Sequence, residues 1–366
     1  MPRPFPALLA ALALSALTGC ADLRYYWQSV HGHVQLLQAA APIDDWLARP
    51  ELAAPLRTRL QLARRARTFA VAELGLPDNA SYRRYADLHR AAAVWNVVAA
   101  PPDALTPHTW CFVVTGCIAY RGYFAQADAQ AEAARLAAQG LEVYVYGVPA
   151  YSTLGYLNWA GGDPLLSTFI GGPEGDFVRL LFHELAHQVV YVPGDTAFNE
   201  SFATAVERLG STRWLATQST AQAQQAFAAS QQQRQAWQAL TRATRAQLST
   251  LYASNQAQTL DPQALTAMKN EIMQNFRAQY AALRSHWQVP DTQLSGYDRW
   301  VAQANNASFA AQAAYDDWVP AFLALFEQHG RDWPRFYAAV QQLAGLPAAQ
   351  RQQTLQDLTP EPSPHA

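Results

Sequence analysis

The run Leu180-Leu-Phe-His-Glu-Leu-Ala-His-Gln-Val189 constrains this chain more than any other stretch. Positions i and i+4 of an α-helix share a face one turn apart, so a helix here points His183 and His187 at one metal ion. Glu184 follows the first histidine and can hold a water beside that metal without ligating it. Two neutral nitrogens and a free carboxylate base are what a hydrolytic zinc site requires. Leu180, Leu181, Phe182, Leu185, Ala186, Gln188 and Val189 are all uncharged, as befits a helix buried beneath a cleft. The competing reading is a buried helix with two hydrogen-bonded histidines.

One zinc ion in such a site takes three protein ligands and keeps a fourth position for water. Pro193-Gly194 breaks the helix, and Asp195 or Thr196 can cap another. That second helix carries Asn199-Glu200-Ser-Phe-Ala-Thr204, with Glu200 thirteen residues past His187. The interval is long enough for the chain to turn and bring a carboxylate back, which makes Glu200 a candidate third ligand alongside Asp195 and Glu207. Asp195 is explained more simply as an N-cap. Glu207, two turns beyond Glu200, either orients a histidine ligand or is a solvated glutamate. A third histidine six residues after His187 is excluded, because Pro193 stands there.

Half of the 366 residues are apolar and the formal charge is −2. A large core is expected, and there is no electrostatic footprint for nucleic acid. An apolar run from Phe5 to Leu17 behind Arg3 is too short for a comfortable membrane span and suits a signal peptide over residues 1–19. Leu17-Thr18-Gly19-Cys20 resembles the lipobox of bacterial lipoproteins, which implies acylation of Cys20 and attachment to a membrane. Ala21 after it favours the outer membrane, facing the periplasm. A plain secreted protein is the alternative. Cys111 and Cys117 then remain, an even number in an oxidising compartment, and a short-loop disulfide is preferred over two buried thiols.

Along the chain, helix is expected from about Leu23 to Ala41 and again from Ile43 to Gly75. Strand character follows at Val94 to Ala99, Trp110 to Val114, Ile118 to Tyr120 and Leu141 to Val148, with a helix from Ala125 to Gln139 between. Ala150 to Gly172 is a glycine-rich connection. Ser219 to Ser249 is rich in alanine and glutamine and favours helix. Asp261-Pro262 opens another helix toward Trp287. Two more are expected at Ala307 to His329, kinked or divided by Pro320, and at Trp333 to Ala344. The fold class is therefore α+β and predominantly helical, with a small mixed sheet before the metal helix. The expected organisation is a tether over 20–45, a catalytic core over 46–215, helices packed on it over 216–358 and a disordered tail over 359–366.

Trp110-Cys111, Gly116-Cys117, Tyr120 to Phe124, Tyr151 to Gly155, Asp163 to Thr168, the metal helix and Gly194 to Ala203 together resemble a family of bacterial lipoproteins regarded as predicted aminopeptidases. The resemblance is densest between Trp110 and Gly210. Asn199-Glu200-x-x-Ala203 is similar to the segment that supplies the glutamate ligand in gluzincin peptidases. These likenesses imply a zincin-like core, His183, His187 and Glu200 as zinc ligands, Glu184 as general base and a peptide substrate. The Gly-x-Met-Glu-Asn segment with which large gluzincin aminopeptidases hold a free amine is absent from the sequence, so endopeptidase action stays open. Tyr120, Tyr123, Tyr151 and Tyr156 are candidate oxyanion donors, with Tyr151 preferred because it follows a strand along which a peptide could pair. A non-catalytic binding or assembly lipoprotein that keeps metal for structure is the other alternative. Oligomeric state is not legible.

Overall fold

The computed structural model describes residues 25–112, 116–150, 152–156, 158–258, 261–287, 289–312 and 318–359. The fold is α+β and mostly helical, with small mixed and antiparallel sheets. Residues 25–39 form helix α1, followed by β1 (Ala41–Pro42), α2 (Ile43–Leu47) and α3 (Ala54–Leu74). Pro55 in the first turn of α3 and left-handed Gly75 behind it supply a start and a stop.

Two small sheets then form. In the first, β2 (Arg84–Ala86) lies between β1, antiparallel, and β8 (Leu165–Leu166), parallel. In the second, β3 (Val94–Ala100) is flanked by β6 (Arg121–Tyr123) and β7 (Glu142–Val148), both antiparallel. Alternate residues of a strand face opposite sides. Val97 and Ala99 accordingly meet Ala129, Ala133 and Leu136 of α4 (Gln126–Ala137). Val98 and Ala100 face the other way, onto Ala307 and Ala310 of α11 (Asn306–Gln312). A hairpin of β4 (Trp110–Phe112) and β5 (Gly116–Ile118) is cross-linked by a disulfide between Cys111 and Cys117.

The connection after β7 is more ordered than its glycines suggested: it holds β8 and the short α5 (Ser167–Ile170). Helices α6 (Glu174–Ala186) and α7 (Thr196–Gln218) come next and form the centre of the molecule. They are followed by α8 (Ala221–Gln258), α9 (Pro262–His286) and α10 (Asp291–Ala302), and after α11 by α12 (Val319–Gln328), α13 (Trp333–Ala344) and α14 (Ala348–Leu358).

The helices after residue 216 serve two cores. Phe202 of α7 touches Phe322 of α12 and Phe336 of α13, so α12 to α14 complete the core beneath α6 and α7. A separate cluster on α8 to α11 gathers Trp237, Phe276, Trp300 and Phe309. Each buried ring of this kind contributes about 2–3 kcal/mol.

The helix expected over Ala307 to His329 is two helices, with Pro320 in the first turn of α12. There its missing N–H has no intrahelical partner to lose. Helices α10 and α14 have no counterpart among the expected elements; α14 buries only Arg351 and Leu355, too thin an apolar stripe to recognise. Among the described residues no helix is long and apolar enough to cross a membrane. The signal-peptide segment, Cys20 and residues 360–366 of the expected tail lie outside the described residues.

Candidate active site

The apolar stripe Phe177, Val178, Leu181, Phe182 and Leu185 holds α6 in the core. This leaves His183, Glu184 and His187 lining a cavity of about 1090 Å³ on its other side. The helix ends at Ala186, well before Pro193, and His187 is its C-cap. The turn beyond tightens through Gln188 N–H to Leu185 O (3.1 Å) and Val189 N–H to Ala186 O (2.9 Å). Gly194 has φ +81° in the connection, and a Cβ on Gly116 of β5 would stand 2.8 Å from its nitrogen. Only glycine at position 116 lets the hairpin approach this loop so closely.

Asp195 caps α7, accepting from Phe198 N–H at 3.1 Å. The Asn199 side chain closes the loop between the helices, accepting from Val192 N–H (2.7 Å) and donating to Val192 O (2.8 Å). Those two bonds fix the rotation of α7 at its first turn, and the next residue is Glu200.

Glu200 Oε2 stands 3.2 Å from His183 Nε2 and 3.7 Å from His187 Nε2, and the two imidazole nitrogens are 3.2 Å apart. Ligand atoms about 2.0–2.1 Å from a tetrahedral zinc ion lie about 3.3 Å from one another. The observed triangle has those dimensions, so the donor set fits such an ion. His183, His187 and Glu200 are also the one group of three metal-ligating side chains that converges in this way among the described residues. Electrostatics agree with the geometry. Burial disfavours a charged His183, but the carboxylates of Glu200 and Glu207 outweigh it and hold its pKa well above the usual range. Glu200, against the desolvation of its own buried site, is held far below the normal carboxylate range by the two histidines. The space between these three side chains favours positive charge.

Glu207, the alternative third ligand, stands on the far side of His183. Its Oε1 accepts from Arg179 Nη1 at 2.7 Å, and its Oε2 lies 3.0 Å from His183 Nδ1, off the line of a straight hydrogen bond. It is a buried partner of the histidine ring rather than a solvated side chain. Asp195 is engaged elsewhere, pairing with buried Arg351 of α14 at 2.7 Å. Glu184 faces the cavity, and burial raises its carboxyl pKa against the opposing pull of His183 and His187.

Tyr151 lies outside the described residues. Among the other tyrosines, Tyr120 lines the cavity, whereas Tyr123 packs on Tyr25 beneath Arg121 and Tyr156 is exposed. Tyr191, which the sequence reading passed over, also lines the cavity. Burial, with the charges of Glu200 and Glu184, keeps the Tyr120 phenol protonated far above neutrality. Two further residues carried no assigned role in the sequence. Tyr82 is buried with φ +61°, a backbone state costly for a bulky residue. Asp163 is fully buried, accepts from Thr153 N–H at 2.9 Å, and is pushed up to about 6 by burial and, to a lesser degree, by Glu184. No local pattern marks Tyr82, and Asp163 stands out in the sequence only as the start of one segment of the family resemblance.

No curated protein and no solved structure gives a significant match to this sequence. A family model does: the one described as "Putative aminopeptidase" matches residues 24–355. With the match extending over nearly all of the chain and across the whole His183–His187–Glu200 cluster, the protein belongs to this putative aminopeptidase family.

Proposed function

We propose that the protein is a zinc-dependent peptidase of gluzincin type. The observation that carries this reading is the triangle of His183 Nε2, His187 Nε2 and Glu200 Oε2 at ligand spacing, with Glu184 lining the same cavity one residue after the first histidine. These three atoms would hold a zinc ion, which would supply Lewis acidity toward the scissile carbonyl and the attacking water. Glu184 accepts the proton of the attacking water on its carboxylate and delivers it to the leaving amine. Its desolvated carboxyl sits above the usual range, which suits a group that must both take and give a proton. Glu207 keeps the His183 ring oriented, with Arg179 behind it. Tyr120 is assigned as the described donor toward the oxyanion, its phenol being protonated and on the cavity wall. Tyr151 remains a second candidate from its sequence position.

The N-terminal motif supports a periplasmic protein tethered to the outer membrane through acylated Cys20. The family description favours aminopeptidase action, while the missing Gly-x-Met-Glu-Asn segment keeps endopeptidase action in play.

The test is metal analysis together with peptide hydrolysis by wild type and Glu184→Gln. Stoichiometric zinc in both proteins, with turnover lost in the variant alone, is the expected result. Equal turnover by wild type and Glu184→Gln would overturn the mechanism, and zinc bound without hydrolysis of any peptide would favour the non-catalytic alternative. Comparing free with N-acetylated peptides then separates exo- from endopeptidase action.

A further inference from the structure

The cavity extends well past the His183–His187–Glu200 cluster. Its far wall is one face of α8, where Gln231, Arg234, Gln238, Thr241 and Arg245 line it at three- and four-residue spacing. This stripe runs roughly 20 Å along the helix. Amides, a hydroxyl and guanidinium groups make it rich in donors and positive charge, with no carboxylate of its own. Arg208 of α7 and Arg242 of α8 add to the same lining.

The described carboxylates of the lining are Glu184, Glu200 and Glu207. Glu200 faces the two histidines, and Glu207 is taken by His183 and Arg179. None of these three carboxylates forms an ion pair with Arg234 or Arg245 among the described residues. Arg234 pairs through Nη1 with Asp176 of α6 at 2.7 Å and donates Nε–H to Gln231 Oε1 at 3.1 Å, while its Nη2 and the Nε of Arg245 are buried with no hydrogen-bond partner among the described residues. Buried charged donors left unmet are rare and costly. Burial and neighbouring Arg179 lower the Arg234 pKa against the opposing pull of Asp176.

Position supplies the scale. Asp176 precedes His183 by two turns of α6, which puts Arg234 roughly 10 Å along that helix from the metal ligands. An extended peptide covers this distance in about three residues. Arg245 is three turns farther along α8, which separates it from Arg234 by roughly 16 Å, the span of about five extended residues.

We propose that the α8 wall is an acidic-peptide track: it binds side-chain carboxylates of the substrate, with Arg234 and Arg245 as the two contact points. At Arg245 the guanidinium fork can match a carboxylate in two parallel hydrogen bonds, and Arg234, engaged through Nη1 and Nε, offers Nη2. This inference rests on the peptidase reading for its substrate class, but its test does not depend on turnover.

The probes are a decapeptide of alternating alanine and glutamate and its glutamine counterpart, each as free acid and as C-terminal amide. Binding is measured by calorimetry on zinc-loaded Glu184→Gln, and kcat/KM on the wild-type background. Expected is a preference for the glutamate peptides of about tenfold, kept in the amides and weakened by salt. Arg245→Gln should cut that preference severalfold and Arg245→Glu should abolish it. Arg234→Lys, which retains a partner for Asp176, should reduce it less. Equal affinity for glutamate and glutamine peptides, or a preference untouched in Arg245→Gln and Arg245→Glu, overturns the track. A preference confined to the free acids overturns it too, since the chain terminus would then be the group recognised. Acidic peptides that bind selectively but are never hydrolysed would uphold the track and refute the peptidase reading instead.

Discussion

Replacing Glu207 by glutamine tests whether the buried carboxylate behind His183 sets metal affinity. Glu207 touches no point of the ligand triangle directly; it acts on the opposite ring nitrogen, with Oε2 3.0 Å from His183 Nδ1 and Oε1 accepting from Arg179 at 2.7 Å. A carboxylate there favours the tautomer that presents Nε2 to the metal and makes that nitrogen a better donor. Glutamine keeps the shape but has one acceptor oxygen. Its amide N–H₂ must therefore face either Arg179 or His183 Nδ1, donor against donor. Loss of such a partner weakens metal binding by about 10- to 100-fold, or about 1.4–2.7 kcal/mol. Alanine would be a poorer probe, because stranding the Arg179 guanidinium could cost roughly 3–5 kcal/mol of folding stability and confound the readout. The assay is competition for zinc against a chromophoric chelator, with thermal melts of the metal-free proteins as a check on folding. A folded Glu207→Gln protein that binds zinc as tightly as wild type would refute the argument that Glu207 orients His183.

Glu200→Ala removes one of the three converging donors, and the purified variant should carry far less than stoichiometric zinc by atomic absorption; full zinc content would exclude Glu200 as a ligand. Treating wild type with a chelator should lower its melting temperature and readdition of zinc restore it, because a metal that binds only the folded state stabilises it. Asp195→Ala should cost about 1 kcal/mol for the lost cap and roughly 3 more for the deprived Arg351, which is 5 % exposed. Asp195→Asn should recover the first part alone, and urea midpoints equal to wild type in both would show that α14 is not held through this pair. Folding raises the Asp163 pKa from 3.8 to about 6, so the folded state binds that proton more tightly than the unfolded chain does. Ionised Asp163 therefore costs stability that is lost progressively as pH rises from about 4 through 6, up to about 3 kcal/mol once complete. Asp163→Asn should gain on wild type over that window in denaturation series, and a difference independent of pH would contradict the assignment.

What could be read before folding was whatever lies within a turn or two of helix. His183 and His187 fall on one face because the helical period demands it, and Asp261 caps α9 as its Asp-Pro pair implies, accepting from Ala264 N–H at 3.1 Å. Leu141 to Val148 reads as a strand because its β-branched and aromatic residues suit a pleated, half-buried surface, and β7 occupies Glu142–Val148. Where local signals were thin, reading stopped. The Ala/Gln-rich stretch was legible as helix, but not the use of its polar stripe, since glutamines and arginines at helical spacing look the same facing solvent or a cleft.

The sequence by itself determined the two histidines, the carboxylate beside them and the Asn199-Glu200 pair, because spacing along a helix is a local property that survives in any fold. Only the tertiary structure decided that Glu207 backs His183, that Asp195 is spent on Arg351, that Tyr120 and Tyr191 face the cavity, and that Arg234 and Arg245 look into it. Those facts depend on how α6, α7 and α8 are rotated against one another. That rotation is set by which apolar faces must be buried together, Phe198 and Phe202 against Phe322 among them. It is a balance over residues far apart in the chain, so no short pattern records it.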